Sequence, residues 1–248
     1  MMGDHASGCY QGAVARTNAP RSGSSLSMKA TLVVMSRVPR PGETKTRLAR
    51  ALGDQDACAF HVAALGDLLE RMGALEQLVR VVAWTGPFAD DETCPDVPPG
   101  FQQRLQGPGD LGERMLRTAR AVGLPVVFLG ADAPTVPPAA VDDALGLLAD
   151  GCDAVFQPAI DGGYTLAGFG IDPEPLVMGI PWGTDAVMEK TLIQCETSGL
   201  TVGLLDPWYD VDTEADLRLL RHHLRTLEQG GDSLPRMKRF LQRPGSPS

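Results

Sequence analysis

The stretch TLVVMSRVPRPGETKTR, residues 31–47, contains the pattern that decides the fold. Its first five residues are apolar and rich in β-branched side chains, which predicts a short, fully buried strand. The prolines and glycine that follow predict a turn, and a helix is predicted from Thr44 to Leu52. Lys45 and Arg47 then lie with free backbone N–H groups at one helix N-terminus. This arrangement is typical of a site for a nucleotide di- or triphosphate, although both cations also suit a solvated surface turn.

Beyond this stretch, short apolar runs alternate with helical patterns, which predicts an α/β domain with a mostly parallel sheet flanked by helices. Strands are predicted near 30–36, 79–84, 102–106, 125–130, 153–158, 164–169 and 202–205. Helices are predicted near 44–52, 54–72, 110–122, 137–149, 184–198, 213–229 and 235–242. One domain is predicted over residues 28–243, after a disordered leader at 1–27 and before a disordered tail at 244–248.

The composition excludes several classes of function. With 22 basic and 31 acidic residues the net charge is −9, so binding to nucleic acid is not expected. The five cysteines are scattered without zinc spacing, which predicts free thiols. No apolar run is long enough for a membrane span or a signal peptide, and a cytoplasmic protein is predicted. The four histidines show no partner at nucleophile or ligand spacing.

Aspartates follow several of the predicted strands. In an open parallel sheet ligands bind at the carboxyl ends of the strands, so we expect most of these carboxylates to converge on the edge that carries Lys45 and Arg47. They are Asp110, Asp132, Asp161, Asp210 and Asp212. A carboxylate such as Asp132 suits Mg²⁺ or Mn²⁺ bridging nucleotide phosphates, and its alternative role is to cap the next helix. Asp210 and Asp212 point the same way in an extended segment. They suit a shared ion or an acceptor hydroxyl, and an N-cap of the last long helix by Asp212 or Thr213 is equally compatible.

The segment Asp161-Gly162-Gly163-Tyr164 places two glycines between a carboxylate and an aromatic ring. Glycine lets the backbone approach a ligand closely, and Asp-Gly also predicts a hairpin turn between the flanking strands. The two interpretations are compatible, because a hairpin at the mouth of the sheet suits an acceptor substrate.

Two further loops precede helices. The loop that contains Gly109 and Asp110 lacks the Gly-Lys-Ser/Thr ending of a Walker motif. It suits a base or ribose site, or a connection in which Asp110 caps the helix. Trp182 and Thr184 offer a ring and a hydroxyl to an acceptor pocket, and half-buried packing is the alternative for Trp182.

Six segments in order resemble a known bacterial family: SRVPRPGETKTRLARALG, QGPGDLGERM, FLGADAP, DGGYTLAGF, IPWGT and YDVDTEADL. It is the DUF2064 group, also described as radical-SAM/selenodomain-associated transferase 1, in the nucleotide-diphospho-sugar transferase superfamily. The likeness covers Met28 to about Leu227. It implies a single GT-A domain, a Rossmann-like fold that binds a nucleotide over its first half and an acceptor over its second.

The resemblance also implies roles for individual residues. Binding of the nucleotide phosphates is implied for Lys45 and Arg47, and the position of the metal-binding acid for Asp132. Together with the loops described above, the predicted nucleotide site contains Arg37, Lys45, Arg47, Gly109, Asp110 and Asp132. The predicted acceptor site contains Gly162, Gly163, Tyr164, Trp182 and Thr184. Catalysis is implied for Asp161 and Asp212, and binding of a divalent cation, Mg²⁺ or Mn²⁺, for Asp132 and Asp212.

The implied activity is transfer of a sugar from a nucleotide-diphospho-sugar to a small acceptor. Nucleotidyl transfer, as in phospholactate guanylyltransferase, and non-catalytic nucleotide binding are the alternatives, and a homodimer is left open. The sequence departs from the family pattern at Arg37, where Lys is common, at Ala133 and at Gly183. Pro134 stands at the position of the second acid of a DxD motif, so the metal-binding motif is incomplete and metal dependence follows less directly than the fold.

Overall fold

The computed structural model describes residues 29–89, 95–229 and 234–243. The predicted leader and tail lie outside these residues. The described part is built around a seven-stranded sheet with the strand order β3-β2-β1-β4-β6-β5-β7. The strands are β1 (Thr31–Ser36), β2 (Val79–Trp84), β3 (Phe101–Leu105), β4 (Val126–Gly130), β5 (Ala154–Pro158), β6 (Tyr164–Phe169) and β7 (Val202–Leu204).

Eight helices are described. They are α1 (Thr46–Leu52), α2 (Asp54–Gly73), α3 (Leu111–Val122), α4 (Pro138–Ala149), α5 (Glu174–Val177), α6 (Val187–Thr197), α7 (Glu214–Gln229) and α8 (Pro235–Leu241). The short α5 was not predicted, because four residues between prolines and a glycine carry no helical periodicity. Helix α1 begins at Thr46 rather than Thr44, since Lys45 adopts the left-handed conformation with φ 54°.

The direction of the strands confirms the predicted mostly parallel sheet. Strands β1 to β4 are mutually parallel, as are β5 and β7, and among the described strands β6 alone runs antiparallel to its neighbours. The predicted hairpin between β5 and β6 is confirmed. Its turn lies at the edge where the parallel strands have their carboxyl ends, so the loops predicted to bind ligands share one edge.

Alternate residues of the central strands face two apolar layers. Leu32 and Val34 of β1 belong to the layer formed with α2 and α4, and Val33 belongs to the layer formed with α3 and α6. All three are fully buried, and burial of such a side chain contributes about 1.5–3 kcal/mol. A third cluster around Phe60 packs α7 and α8 against α1 and α2. It holds the last part of the chain beside the loop that follows β1.

Two composition-based predictions can be compared with the structure. Among the described residues, no helix is both long and apolar enough to cross a bilayer. Cys58, Cys152 and Cys195, the cysteines within the described ranges, are free thiols as predicted.

Candidate functional site

The loop between β1 and α1 is fixed by its own hydrogen bonds. The Thr44 hydroxyl accepts from the N–H of Arg40 at 3.0 Å and donates to the carbonyl of Val38 at 3.2 Å. The next residue, Lys45, has the one positive φ among the described non-glycine residues. The loop is therefore ordered at the carboxyl edge of β1, immediately before α1 begins.

The ammonium of Lys45 bridges two aspartates. Its Nζ lies 2.5 Å from Oδ1 of Asp132 and 2.9 Å from Oδ1 of Asp212, and it donates to the carbonyl of Val211 at 2.7 Å. The side chain is only 3% exposed. Burial disfavours the charged amine, but the two carboxylates outweigh it and raise the pKa of Lys45. For Asp132, burial favours the neutral acid, yet Lys45 reverses the balance and lowers its pKa.

Backbone contacts bring the two aspartates together. The N–H of Val211 donates to the carbonyl of Asp132 at 2.8 Å, which aligns the segment before α7 with the loop after β4. Thr213, and not Asp212, caps α7, because its Oγ1 accepts from the N–H of Asp216 at 3.4 Å while Asp216 accepts from the N–H of Thr213 at 2.7 Å. Asp132 does not cap α4, whose N-terminus has no side-chain cap. Both carboxylates are left for Lys45.

A polar cleft of about 220 Å³ opens beside this bridge. Arg47 lies on its rim, with Nη2 2.5 Å from Oδ2 of Asp212, and its side chain is 57% exposed. Three basic and three acidic side chains line the cleft, so its formal charge is zero. The lining residues are Arg37, Glu43, Thr44, Lys45, Thr46, Arg47, Asp132 and Asp212.

The other two aspartates lie beside the bridge. Asp161 is exposed, and its Oδ1 accepts from the N–H of Gly163 at 3.0 Å. Asp210 is partly buried, and burial together with the charges of Asp161 and Asp212 raises its pKa to about 6. Of the predicted aspartates, Asp132 and Asp212 contact Lys45, Asp210 interacts with it electrostatically, and Asp161 interacts with Asp210.

The hairpin turn and the segment before α6 are in contact. Gly162 has φ +91° and packs directly against the backbone of Asp185, and its carbonyl accepts from the N–H of Met188 at 2.8 Å. Thr184 donates to the carbonyl of Pro181 at 2.8 Å. The residues predicted to bind an acceptor therefore lie in one region.

Two of these predicted acceptor residues pack into the apolar interior. The rings of Tyr164 and Trp182 meet edge to face with centroids 5.9 Å apart, and both pack on the apolar layer below α6. The hydroxyl of Tyr164 and Nε1 of Trp182 are buried without a hydrogen-bond partner. The ring of Trp182 therefore serves packing, as the alternative interpretation predicted. The polar groups that remain for an acceptor are the backbone of 161–163 and the side chain of Thr184.

Asp110 lies away from the cleft and caps α3. Its carboxylate accepts from the N–H of Glu113 at 2.9 Å, and its own N–H donates to Glu113 Oε2 at 2.8 Å. This reciprocal pair is a capping box. Gly109, with φ +101°, packs against the same glutamate. The capping interpretation is thus observed, and neither Gly109 nor Asp110 lines the cleft around Lys45.

Comparison with known proteins now places this site within a family. A family model described as an uncharacterized protein conserved in bacteria (DUF2064) matches residues 68–184. A crystal structure from Desulfovibrio desulfuricans G20 is 30% identical, covers 86% of this chain and 94% of that chain, and superposes with a TM-score of 0.73. The chain belongs to the DUF2064 family. Its relative from Desulfovibrio carries the provisional name nucleotide-diphospho-sugar transferase.

More distant structures share the fold of this DUF2064 protein. Rv0371c from Mycobacterium tuberculosis H37Rv is 19% identical over 78% of this chain and 98% of that chain, with a TM-score of 0.50. A cytidylyltransferase from Leptospira borgpetersenii is 17% identical over 87% and 94%, with a TM-score of 0.56. At these identities the likeness is one of fold alone. No curated protein sequence matches the chain significantly.

With Lys45 in this position, a divalent cation shared by Asp132 and Asp212 does not fit. The ammonium of Lys45 already lies between the Oδ1 atoms of Asp132 and Asp212, where a shared metal ion would bind. Within residues 29–89, 95–229 and 234–243, no group of three or more His, Cys, Asp or Glu side chains is arranged to hold a metal. In the described residues the predicted metal-binding pair, Asp132 and Asp212, is therefore bridged by an ammonium.

The sequence prediction overlooked the contacts of two histidines. His61 on α2 is buried beneath the bridge, with Nε2 3.2 Å from the hydroxyl of Ser36 and Nδ1 3.9 Å from Oδ1 of Asp132. His223 pairs with the hydroxyl of Tyr209 at 2.7 Å. The sequence spacing of the histidines predicted neither contact, and the interpretation of His223 as part of a solvated helix face does not hold. Their partners are distant in the sequence or lie outside the helix, so spacing gives no signal for them.

Proposed function

We propose that this DUF2064 protein transfers a sugar from a nucleotide-diphospho-sugar to a small acceptor. The observation that carries the proposal is the ordered cationic loop of Lys45 and Arg47 at the carboxyl edge of the sheet, the edge that also holds the hairpin turn with Asp161. The relative that is 30% identical has a provisional name of the same class, which supports the choice of donor.

The cations would bind the diphosphate of the donor. Arg37, Lys45 and Arg47 line the same cleft, and an ammonium or guanidinium stabilises the charge that develops on a departing diphosphate. Lys45 and Arg47 are now paired with carboxylates, so donor binding exchanges some of these pairs for phosphate contacts. The site therefore selects ligands that offer several negative charges at once.

The contacts of the predicted catalytic aspartates favour Asp161 over Asp212 as general base. Both oxygens of Asp212 contact cations, Oδ1 with Lys45 and Oδ2 with Arg47, so neither oxygen is free to contact an acceptor hydroxyl. Asp161 is exposed and contacts a backbone N–H. Asp210 lies near it, and its pKa of about 6 suits a base that works near neutral pH. We assign acceptor activation to Asp161 and Asp210, with Asp212 orienting Lys45 and Arg47.

Nucleotidyl transfer is the second candidate. The cleft contains three cations, Arg37, Lys45 and Arg47, which match the three phosphates of a nucleoside triphosphate. The same groups would then stabilise a departing pyrophosphate, and the acceptor would attack the α-phosphate.

A ligand screen followed by product analysis separates these functions. Sugar nucleotides and nucleoside triphosphates are tested by thermal shift, since a ligand that binds the native state raises the melting temperature. Release of UDP or GDP from a sugar nucleotide supports sugar transfer, and release of pyrophosphate from a triphosphate supports nucleotidyl transfer. Binding with no turnover over the whole panel would contradict both and indicate a nucleotide-binding protein.

A further inference from the structure

We propose that His61 is a positioning residue that holds Asp132 when Lys45 moves to the phosphates of the donor. The imidazole is only 1% exposed, and its Nδ1 has no hydrogen-bond partner. That nitrogen lies 3.9 Å from Oδ1 of Asp132, the oxygen that Lys45 now occupies. Leaving a buried polar atom without a hydrogen bond costs free energy. We therefore expect Nδ1 of His61 to gain a partner in another state of the site, and Asp132 is the carboxylate beside it.

The hydrogen bonds of Ser36 determine the tautomer of His61. The Ser36 hydroxyl donates to the carbonyl of Arg37 at 3.0 Å, and it has one hydrogen. It therefore accepts from Nε2 of His61, 3.2 Å away, and Nε2 carries the ring proton. Burial lowers the pKa of His61, so the ring is neutral and Nδ1 has no hydrogen. While Lys45 binds Asp132, no donation from His61 is needed.

Departure of Lys45 changes this balance. Asp132 then lacks the ammonium, and Nδ1 of His61 faces the vacated oxygen. The ring exchanges its proton with water and retains one, now on Nδ1, where it donates to Asp132. The Ser36 hydroxyl rotates from the carbonyl of Arg37 and donates to Nε2. The net charge of Ser36 and His61 is unchanged, so the exchange avoids placing a new charge in the protein interior.

The ring of His61 faces a serine hydroxyl with Nε2 and an aspartate with Nδ1, as the histidine of a hydrolase triad does. Ser36 is only 2% exposed on a central strand, so its hydroxyl cannot reach a substrate carbonyl. The arrangement therefore serves to orient Asp132 and does not supply a nucleophile.

The inference rests on the proposed function in one respect, the movement of Lys45 to a donor phosphate. A first experiment removes that dependence. Nitrogen-15 NMR of the full chain labelled at histidine reports which ring nitrogen carries the proton, and His61→Gln identifies the signals of His61. In the wild type we expect the proton on Nε2. In Lys45→Met, without any ligand, we expect it on Nδ1.

A second substitution tests whether Asp132 is the cause. In Lys45→Met with Asp132→Ala, no carboxylate faces Nδ1, and we expect the proton to return to Nε2. The same tautomer in the wild type and in Lys45→Met would overturn the proposal. So would a proton that stays on Nδ1 in the double variant.

Kinetics supply a second measurement, which stands even where Lys45→Met does not fold. His61→Asn keeps a polar group near the position of Nδ1, whereas His61→Gln keeps one near Nε2 and loses the group that faces Asp132. With the donor that gives turnover in the product assay, we expect the KM of His61→Gln to rise on the order of 10-fold with kcat little changed. His61→Asn should stay close to the wild type.

The opposite ranking, or equal effects that follow the loss of melting temperature, would indicate a purely structural role and overturn the proposal. If no donor gives turnover, the proposed function fails while the NMR experiment still decides the role of His61.

Discussion

Lys45 and Asp212 are 167 residues apart in the sequence, yet Nζ of Lys45 lies 2.9 Å from Oδ1 of Asp212. The contact joins the loop after the first strand to the segment before α7. Asp132 completes the bridge from the centre of the chain. Removing one partner of a buried ion pair leaves an uncompensated charge, so each of these three residues affects folding as well as ligand binding.

Arg47 and Arg50 form a matched pair for testing phosphate binding. Arg47 lines the cleft, whereas Arg50 is exposed in the last turn of α1 and does not. We expect Arg47→Met to weaken binding of the donor on the order of 10-fold, because a charge-assisted hydrogen bond is lost. Arg50→Met should bind as the wild type does. Calorimetric titration measures both, and equal affinities for the two variants would contradict the proposed site.

Lys45→Met should create a metal site. Removing the ammonium leaves the carboxylates of Asp132 and Asp212 facing each other, and paired carboxylates bind divalent cations. We expect this variant to bind Mn²⁺ more tightly than the wild type, measured by the loss of the free Mn²⁺ signal in electron paramagnetic resonance. Lys45→Arg, which keeps a cation between the carboxylates, is the control. Equal affinity in all three proteins would show that Lys45 does not exclude the metal.

Asp210 should make stability depend on pH. Its folded-state pKa of about 6 exceeds the ordinary value near 3.9, so the folded protein binds the proton more tightly than the unfolded chain. Stability is therefore lost as pH rises between about 4 and 6. We expect Asp210→Asn to be more stable than the wild type at pH 8, on the order of 1 kcal/mol after solvent screening. The gain should vanish near pH 4 in urea unfolding, and a gain that is equal at both pH values would be inconsistent with this cause.

The pH dependence of turnover tests the assignment of the base. With Asp210 as proton acceptor, activity should fall as pH decreases through about 6, because the base must be ionised. Asp210→Asn should lose about 100-fold or more in kcat, and the variant should lack that acidic limb. If the fall in activity at acidic pH is unchanged in Asp210→Asn, Asp210 is not the general base. Asp161→Asn then tests the other assigned aspartate in the same way.

Two glycines with positive φ separate backbone strain from steric conflict. Gly162 (φ +91°) packs against the backbone of Asp185, whereas a Cβ at Gly183 (φ +80°) would meet nothing within 4 Å. Gly183→Ala should cost about 1 kcal/mol from conformation alone. We expect Gly162→Ala to cost more, because the contact is with backbone that cannot rotate away. Thermal unfolding measures both, and equal losses would show that the hairpin turn does not need this close contact.

Local patterns in the sequence allowed the fold to be predicted. The apolar run at 31–35 predicted β1, and the Asp-Gly pair at 161–162 predicted the hairpin, because both depend on residues within a few positions. The capping alternative for Asp110 had the same local basis, since its partner Glu113 is three residues away, whereas the predicted nucleotide role does not match the lining of the cleft. The four-residue α5 was not predicted, because so short a segment shows no helical periodicity.

The sequence by itself determined the α/β alternation, the cationic loop after β1 and the placement of aspartates after the strands. Only the tertiary structure decided that Lys45 is shared by Asp132 and Asp212, that His61 lies beneath them, and that Tyr164 and Trp182 point into the interior. The physical reason is the sequence distance over which each kind of interaction acts. Hydrophobic periodicity acts within a turn or a strand, whereas the ion bridge depends on strand order and on the backbone bond from Val211 to Asp132.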